Sequence, residues 1–395
     1  MTDIVVFGED FGGLPSSTQH IVKQLASNHR ILWVNSIGLR QPKLCVKDTK
    51  RLFYKLTKFF ATKKSKLTLP ITHCSSQSNI HNNNLSHPFE NINNSNANIK
   101  VIDLITIPAP HSALARTLAT KMMQNQLVRA LQSLNFVNPI YWTSLPTAAD
   151  ICLAMNARAT IYYCGDDFGS LAGVDHEVVL KHEQKLVESA DIIFSASDKL
   201  SLTFPEDKTI TLHHGVDYDL FTKPAIRATD FPTTGRKVLG FYGSLSNWLD
   251  YELIEQVARK AKDWDLIFIG KNECRRNHLP KMNNVFYLGP RPHHSLPSYS
   301  QHWDASWLPF INNAQINACN PLKLLEYLCA GRPIISTPFP ALAPYIDIIN
   351  IAEDADAVCH SLNHPLPPPK TLKDELKASS WQSVAEKVDK LVRAL

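Results

Sequence analysis

DIVVFGEDFGGLPSSTQHIVKQLA, residues 3–26, predicts a buried β-strand, a glycine-containing turn and an amphipathic helix in succession. Gly8 ends the strand, and Ser16 or Ser17 supplies the N-cap of the helix. Similar pairs of strand and helix follow, and the alternation restarts at KVLGFYG, residues 237–243. Alternation of this kind predicts mostly parallel sheets covered by helices on both faces, which is a doubly wound α/β architecture.

The alternation divides the chain into two halves, in keeping with a length of 395 residues. We expect an N-terminal domain over residues 1–221 and a C-terminal domain over residues 237–372. Residues 222–236 are rich in Thr and Pro and poor in aliphatic side chains, so we interpret them as a linker. Residues 373–395 predict a C-terminal helix that packs back on the N-terminal domain.

The composition is that of an ordinary globular protein, with a formal charge of +5 and 44% hydrophobic residues. No run of eighteen apolar residues occurs, and the N-terminus lacks the basic and apolar segments of a secretion signal. The eight cysteines are dispersed without the paired spacing of zinc sites, which favours reduced thiols. We therefore expect a cytoplasmic protein without a structural metal.

One segment carries the whole basic excess. Residues 47–66 contain eight Lys or Arg and one Asp, a net charge of +7, and place Leu52, Leu56, Phe59 and Phe60 on one face of a predicted helix. This pattern favours binding to an anionic membrane surface, and the alternative is a surface helix that packs on its own domain. A nucleic-acid partner is not expected, because no second basic surface or reading motif accompanies the segment.

A polar stretch follows that basic segment. Residues 79–98 contain nine Asn in twenty positions and show almost no apolar periodicity. We interpret them as a long excursion from the N-terminal domain.

The most informative stretch is NPLKLLEYLCAGRP, residues 320–333, which predicts a helix that ends at Gly331. Lys323 and Glu326 lie three residues apart, on the face opposite a predicted buried stripe. A cation and a carboxylate near a helix N-terminus suit a phosphate and a ribose diol, respectively. The alternative is an ordinary surface ion pair. The predicted buried stripe consists of Leu322, Leu325, Leu328 and Cys329.

The same stretch resembles the nucleotide-sugar motif of GT-B glycosyltransferases, in the family-4-like group whose motif is N-P-L-K-x-x-E-Y-L-x-x-G-x-P. The similarity extends to YYCGDDFGSLAG, ESADIIFSASDKL, HHGVDYDLF and FYGSLSNWLDYELI, in the order that the group shows. It implies two Rossmann-like domains that face each other across a cleft. A nucleotide-diphosphate sugar would bind the C-terminal domain, and the acceptor would bind the N-terminal one.

The resemblance implies a role for each matching residue. Glu326 would bind the donor ribose and Lys323 would neutralise the diphosphate. Two departures from the family pattern affect the rest of the site: Ala318 occupies the position of an earlier glutamate, and no Arg or Lys follows Gly243. The other implied donor-binding residues are Gly12, Gly13, Gly243, Ser244, Arg291, Asn320 and Leu324.

Sugar transfer with inversion requires a base for the acceptor hydroxyl. Asp166 and Asp167 follow a predicted strand end in the acceptor half, and we expect one to act as base or acceptor ligand and the other as a cap. His111 and His20 are further candidates for contact with the diphosphate or acceptor. No cofactor and no metal are expected, because the resemblance implies that helix termini, Lys323 and Arg291 supply the charge that the phosphates need.

The sequence therefore predicts a glycosyltransferase that moves a sugar from a nucleotide-diphosphate donor to a hydroxyl of a saccharide or lipid-linked saccharide in cell-surface polysaccharide synthesis. It would be cytoplasmic and peripheral at the inner face of the membrane if residues 47–66 bind there. Two alternatives stay open: an epimerase of nucleotide sugars with the same architecture, and a non-catalytic relative that only binds nucleotide sugars.

Overall fold

The computed structural model describes residues 1–13, 16–36, 98–107, 113–170, 175–320, 322–367 and 372–395. The chain forms two compact units. The first unit comprises Met1–Leu212 with Ala385–Leu395, and the second comprises His213–Val384. The predictions for residues 47–66, for His111 and for nearly all of the Asn-rich stretch lie outside the described residues.

The first unit contains a seven-stranded sheet in the order β3-β2-β1-β4-β5-β6-β7, and every pair of neighbours is parallel. Its strands are β1 Asp3–Phe7, β2 Arg30–Val34, β3 Ile99–Ile102, β4 Ile140–Thr143, β5 Thr160–Cys164, β6 Ile192–Ser195 and β7 Thr209–Thr211. Its helices are α1 Ser17–Leu25, α2 Ala113–Ser133, α3 Ala149–Ala154, α4 His176–Ser189 and α5 Asp198–Ser201.

The residues of the opening strand explain the layers of this unit. All five residues of β1 are buried, as expected for a central parallel strand covered on both faces. Val5 and Phe7 pack with Met123 and Leu127 of α2 in one hydrophobic cluster. Ser16 caps α1 by accepting a hydrogen bond from the Gln19 amide, which confirms the first of the two predicted caps.

The second unit contains a six-stranded parallel sheet in the order β10-β9-β8-β11-β12-β13. Its strands are β8 Lys237–Tyr242, β9 Trp264–Ile269, β10 Val285–Gly289, β11 Ala305–Leu308, β12 Ile334–Ser336 and β13 Asn350–Ile351. Its helices are α6 Tyr218–Thr222, α7 Tyr251–Lys260, α8 Pro297–Ser300, α9 Ala314–Ala318, α10 Leu322–Ala330, α11 Ala355–Asn363, α12 Lys373–Ala378 and the start of α13, Trp381–Ala394.

The division between the units falls earlier than the boundary predicted at residue 221. Helix α6 packs on α10, and its Phe221 is fully buried in the core of the second unit. The segment interpreted as a linker also packs on that unit, because Phe231 is buried there and the Ala225 amide donates to Gln301 Oε1 at 2.9 Å. Residues 213–236 are therefore an integral part of the second unit.

The C-terminal helix α13 contributes its last turns to the first unit. Asn28 Nδ2 donates to the Asp389 carboxylate at 3.3 Å, and His29 Nε2 pairs with the same carboxylate. Arg158 Nε donates to the Leu395 carbonyl at 2.9 Å. Across the described part of the chain, no helix combines the length and the apolar character that crossing a bilayer requires.

Candidate functional site

The carboxyl ends of β8 and β9 approach each other closely in the second unit. Gly243 follows β8 with φ +143°, and Gly270 follows β9 with φ +144°. Residues other than glycine rarely adopt this backbone conformation. A Cβ on Gly270 would lie 1.9 Å from the Gly243 carbonyl oxygen. Both positions therefore require glycine, and both lie at the carboxyl ends of strands, where α/β sheets bind ligands.

Lys323, on the first turn of α10, fills the space above Gly243. A Cβ on Gly243 would lie 2.1 Å from Lys323 Cε, so the lysine stem packs directly on the glycine. Lys323 Nζ lies 5.9 Å from the ring centroids of both Phe241 and Phe310. Burial lowers the pKa of Lys323, although the neighbouring charges of Cys319 and Glu326 act the other way. A partly desolvated ammonium at a strand end is well placed to gain a bond from an anion.

Glu326, one turn further along α10, is only 8% exposed. His293 Nε2 lies 2.6 Å from Glu326 Oε1 and pairs with the carboxylate. Burial, and next the charge of Glu326, raise the pKa of the Tyr242 phenol well above its usual value. The Glu326 carboxylate is therefore buried, hydrogen-bonded to His293 and close to the Tyr242 phenol.

The burial of α10 corrects the predicted exposed face. Residues 324–329 are all buried, and Tyr327 is fully so, whereas Leu322 at the start of the helix is only half-buried. Leu324, implied by the resemblance as a donor-binding residue, is 1% exposed, and its side chain packs in the core. The reason is that α10 contacts α6, α8 and α12, so it is enclosed by neighbouring helices.

Two more predicted donor residues flank this centre. Ser244 follows Gly243, is half-buried, and neither its amide nor its hydroxyl forms a hydrogen bond within the described residues. Asn320 is half-buried directly before α10. Ala318, where the family pattern has a glutamate, is buried at the end of α9. The structure thus brings Gly243, Ser244, Lys323 and Glu326 together, and Ala318 supplies no carboxylate at the position of the family's earlier glutamate.

Arg291 does not present a free guanidinium to this site. Its Nε donates to Tyr299 Oη at 3.0 Å, Nη1 donates to the Pro290 carbonyl at 3.0 Å, and Nη2 pairs with Asp230. These bonds fix the segment before β8 against the turn after β10. The prediction that Arg291 supplies phosphate charge is therefore not supported by its contacts.

The glycine-containing loop of the first unit is also internally bonded. The Gly12 amide donates to Gln19 Oε1 at 3.1 Å, and the Gly13 amide donates to the Asp10 carbonyl at 3.0 Å. Both amides already have acceptors in this conformation, so their contacts do not support the donor-binding role implied for Gly12 and Gly13. The half-buried Glu9, which sequence reasoning missed, accepts hydrogen bonds from the Ser16 hydroxyl and the Gln19 side-chain amide, and desolvation raises its pKa.

The two carboxylates after β5 differ in their surroundings. Asp167 caps the following turn, accepting from the Gly169 amide at 2.9 Å and from Ser170 Oγ at 2.7 Å. Asp166 is exposed to solvent, and its carboxylate has no hydrogen-bond or ion-pair partner among the described residues. Desolvation by the surrounding protein, and next the charge of Asp167, raise the pKa of Asp166. One acid thus caps the loop and the other remains available for chemistry.

The histidine candidates have different outcomes. His111 lies outside the described residues, and His20 is half-buried on α1. His293, which was not among the residues predicted for the site, is the partner of Glu326. No sequence signal links two residues so far apart. Among the described residues, no group of three or more His, Cys, Asp or Glu side chains could hold a metal ion.

Comparison with known sequences shows which proteins the region around this site resembles. Residues 236–363 match the family model described as Glycosyl transferases group 1. A Bacillus subtilis protein named as a teichuronic acid biosynthesis glycosyltransferase, TuaH, is 28% identical over 229 residues. The match covers 52% of this chain and 58% of that protein, so the chain spans little more than half the length of this curated relative.

Solved structures extend the likeness to the whole chain at the level of fold. HepE from Anabaena, in complex with UDP and glucose, has a TM-score of 0.65 and 10% identity, and the match covers 100% of both chains. Sucrose-phosphate synthase from Thermosynechococcus elongatus has a TM-score of 0.63 and 14% identity over 100% of this chain and 99% of its own. Residues 236–363 of the second unit therefore resemble the Glycosyl transferases group 1 domain, and the chain as a whole has the GT-B fold.

Proposed function

We propose that this protein is a glycosyltransferase that moves a sugar from a nucleotide-diphosphate donor to a hydroxyl of a saccharide or lipid-linked saccharide. The observation that carries the proposal is the packing of Lys323 on Gly243 at the end of β8, with the buried Glu326 one helical turn further along α10. An ammonium and a carboxylate, one helical turn apart, match the diphosphate and the ribose diol of one nucleotide.

The chemistry requires the leaving diphosphate to be stabilised as the glycosidic bond breaks. Lys323 is the cation that would do this, because its stem is fixed against Gly243 and its ammonium is partly desolvated. The unengaged amide and hydroxyl of Ser244 would add hydrogen bonds to the same phosphates. These groups would compensate in part for the missing Arg or Lys after Gly243.

In the acceptor unit, Asp166 would bind or deprotonate the acceptor hydroxyl. A carboxylate with a raised pKa is a better base near neutral pH than an ordinary one. Asp167 is committed to the turn and would keep the loop in place. We propose no cofactor and no metal for the reaction.

The class of product is proposed from the relative that is named for teichuronic acid biosynthesis. By analogy, the acceptor would be a growing cell-surface polysaccharide or its lipid-linked precursor. The protein would then act in the cytoplasm at the inner face of the membrane, with the basic segment 47–66 in contact with anionic lipid.

The test is donor turnover with and without an acceptor extract. Purified protein is incubated with labelled nucleotide sugars, and the released nucleoside diphosphate, the labelled saccharide and any epimerised donor are separated. We expect release of nucleoside diphosphate together with label in the saccharide, only when acceptor is present. An epimerised donor without acceptor would support the epimerase alternative, and binding without turnover would support a non-catalytic relative.

A thermal-shift panel of nucleoside diphosphates would precede this assay. A ligand at 100 times its dissociation constant adds about 2.7 kcal/mol to the free energy of unfolding, which is readily detected. A panel in which none of UDP, GDP, ADP and CDP shifts the transition would contradict the proposed donor site.

A further inference from the structure

His293 connects two segments that are distant in the sequence. It lies in the turn after β10, 27% of its side chain is exposed, and its Nε2 is 2.6 Å from Glu326 Oε1 on α10. The imidazole also meets the Phe221 ring edge-on, with 5.4 Å between centroids. The ring is therefore held from two sides, by a carboxylate and by an aromatic face.

The direction of the hydrogen bond follows from the chemistry of the pair. An ionised carboxylate can only accept, so the imidazole Nε2 carries the proton and donates. Burial lowers the pKa of His293, but the hydrogen bond and charge of Glu326, aided by Asp217, outweigh that effect and raise it above its usual value. The protonated imidazole and the carboxylate thus favour each other.

The hydrogen bond from His293 to Oε1 also orients the second carboxylate oxygen of Glu326. With Oε1 held by His293, rotation of the carboxylate is restricted, and the second oxygen keeps one direction. A buried carboxylate without such a partner would be costly and could turn toward other donors. The geometry therefore explains how one glutamate, without the earlier family glutamate at Ala318, could present a fixed acceptor.

We propose that His293 is a positioning residue of the donor site, which donates to Glu326 Oε1 and thereby holds the other carboxylate oxygen ready for the ribose diol of the nucleotide. This proposal rests on the proposed function, because it takes Glu326 as the ribose ligand. It predicts that His293 strengthens nucleotide binding only when both the ribose hydroxyls and the Glu326 carboxylate are present.

The experiment measures nucleotide affinity rather than turnover. The probe is whichever of UDP, GDP, ADP and CDP binds the wild-type protein most tightly, compared with its 2′,3′-dideoxy form by titration calorimetry. His293→Leu should weaken the ribonucleotide about tenfold or more, as expected when a charged hydrogen-bonding group loses its orientation, and should leave the dideoxy form within about twofold. His293→Gln, which keeps a donor without the charge, should recover most of the loss.

The matched control is His294→Leu, because His294 is the exposed neighbour. It should leave both affinities unchanged. In a Glu326→Gln background, His293→Leu should cost less than about twofold, because the positioned carboxylate is gone. Circular dichroism and the thermal transition of each variant check that the fold is intact.

Several results would overturn the proposal. Equal loss of ribonucleotide and dideoxynucleotide affinity would show that His293 acts on the phosphates, the base or the fold. Full affinity in His293→Leu beside weakened binding in Glu326→Gln would show that Glu326 needs no positioning. If wild-type protein bound none of the four nucleoside diphosphates, the proposed function itself would fall and His293 would have no donor to position.

Discussion

Substitution of Gly243 by Ala tests the packing of Lys323 on the strand end. The new Cβ would lie 2.1 Å from Lys323 Cε, so the flexible lysine stem must move away, and φ of +143° is strained for alanine. We expect the strain to lower the free energy of unfolding by about 1–3 kcal/mol. Displacement of the ammonium from a phosphate should cost about 1.5–3 kcal/mol more in binding, roughly a 10- to 100-fold rise in the Kd of a nucleoside diphosphate. Denaturant unfolding and titration calorimetry measure the two effects separately.

Gly235→Ala provides the matched control. Gly235 also has a positive φ, +82°, but nothing lies within 4 Å of the Cβ that it would gain, and it precedes β8 away from the lysine. The left-handed strain should cost about 1–2 kcal/mol of stability and leave the nucleotide Kd unchanged. The reasoning would be refuted if Gly243→Ala bound nucleotide as tightly as wild type, or if Gly235→Ala weakened binding equally.

Three further outcomes follow from the same structure. Asp166→Asn should lower the transfer rate tenfold or more with an unchanged nucleotide Kd, and full transfer by this variant would exclude Asp166 as the base. Asp167→Ala should lower the free energy of unfolding by about 1 kcal/mol, because it loses its hydrogen bonds to the turn. The raised pKa of His293 means that its pair with Glu326 stabilises the fold fully below about pH 6.5 and loses that contribution as the pH rises through the folded-state pKa. The free energy of unfolding of wild type should therefore exceed that of His293→Gln by less at pH 9 than at pH 6. A difference that grows with pH would contradict the ion pair. In vesicle co-sedimentation, binding through residues 47–66 should require anionic lipid, weaken as salt rises and fall when the charges are reversed. Equal binding to neutral and anionic vesicles would contradict an electrostatic membrane contact. The charge-reversal variant changes Lys55, Lys58, Lys63 and Lys64 to Glu.

The parallel sheets could be predicted because their signal is local. Each buried strand is a short β-branched run, and each is followed by a helix pattern, so the sequence indicates the crossovers one at a time. The strands beginning at Asp3 and at Lys237 are interior strands of two all-parallel sheets, which agrees with the predicted parallel architecture. The boundary near residue 221 could not be found in the same way. Phe221 and Asp230 are held by contacts with residues far along the chain, which composition does not reveal.

The candidate site shows the same contrast. The motif helix and its Lys323 and Glu326 could be identified from spacing and from the family resemblance. Spacing alone placed them on an exposed face, because helical periodicity does not show which neighbouring elements enclose a helix. The partner of Glu326, His293, and the pairing that occupies Arg291 depend on tertiary contacts, so only the structure reveals them.

The most direct test of the account is the transfer of labelled sugar from nucleotide-sugar donors to an acceptor extract by wild-type protein, Glu326→Gln and Lys323→Met. The account predicts that wild-type protein labels the saccharide. It also predicts that each variant, with its fold intact by circular dichroism, transfers at least about tenfold more slowly, as loss of a charge-assisted bond to the donor implies. Unchanged transfer rates in both variants would contradict the assignment of the donor site to α10.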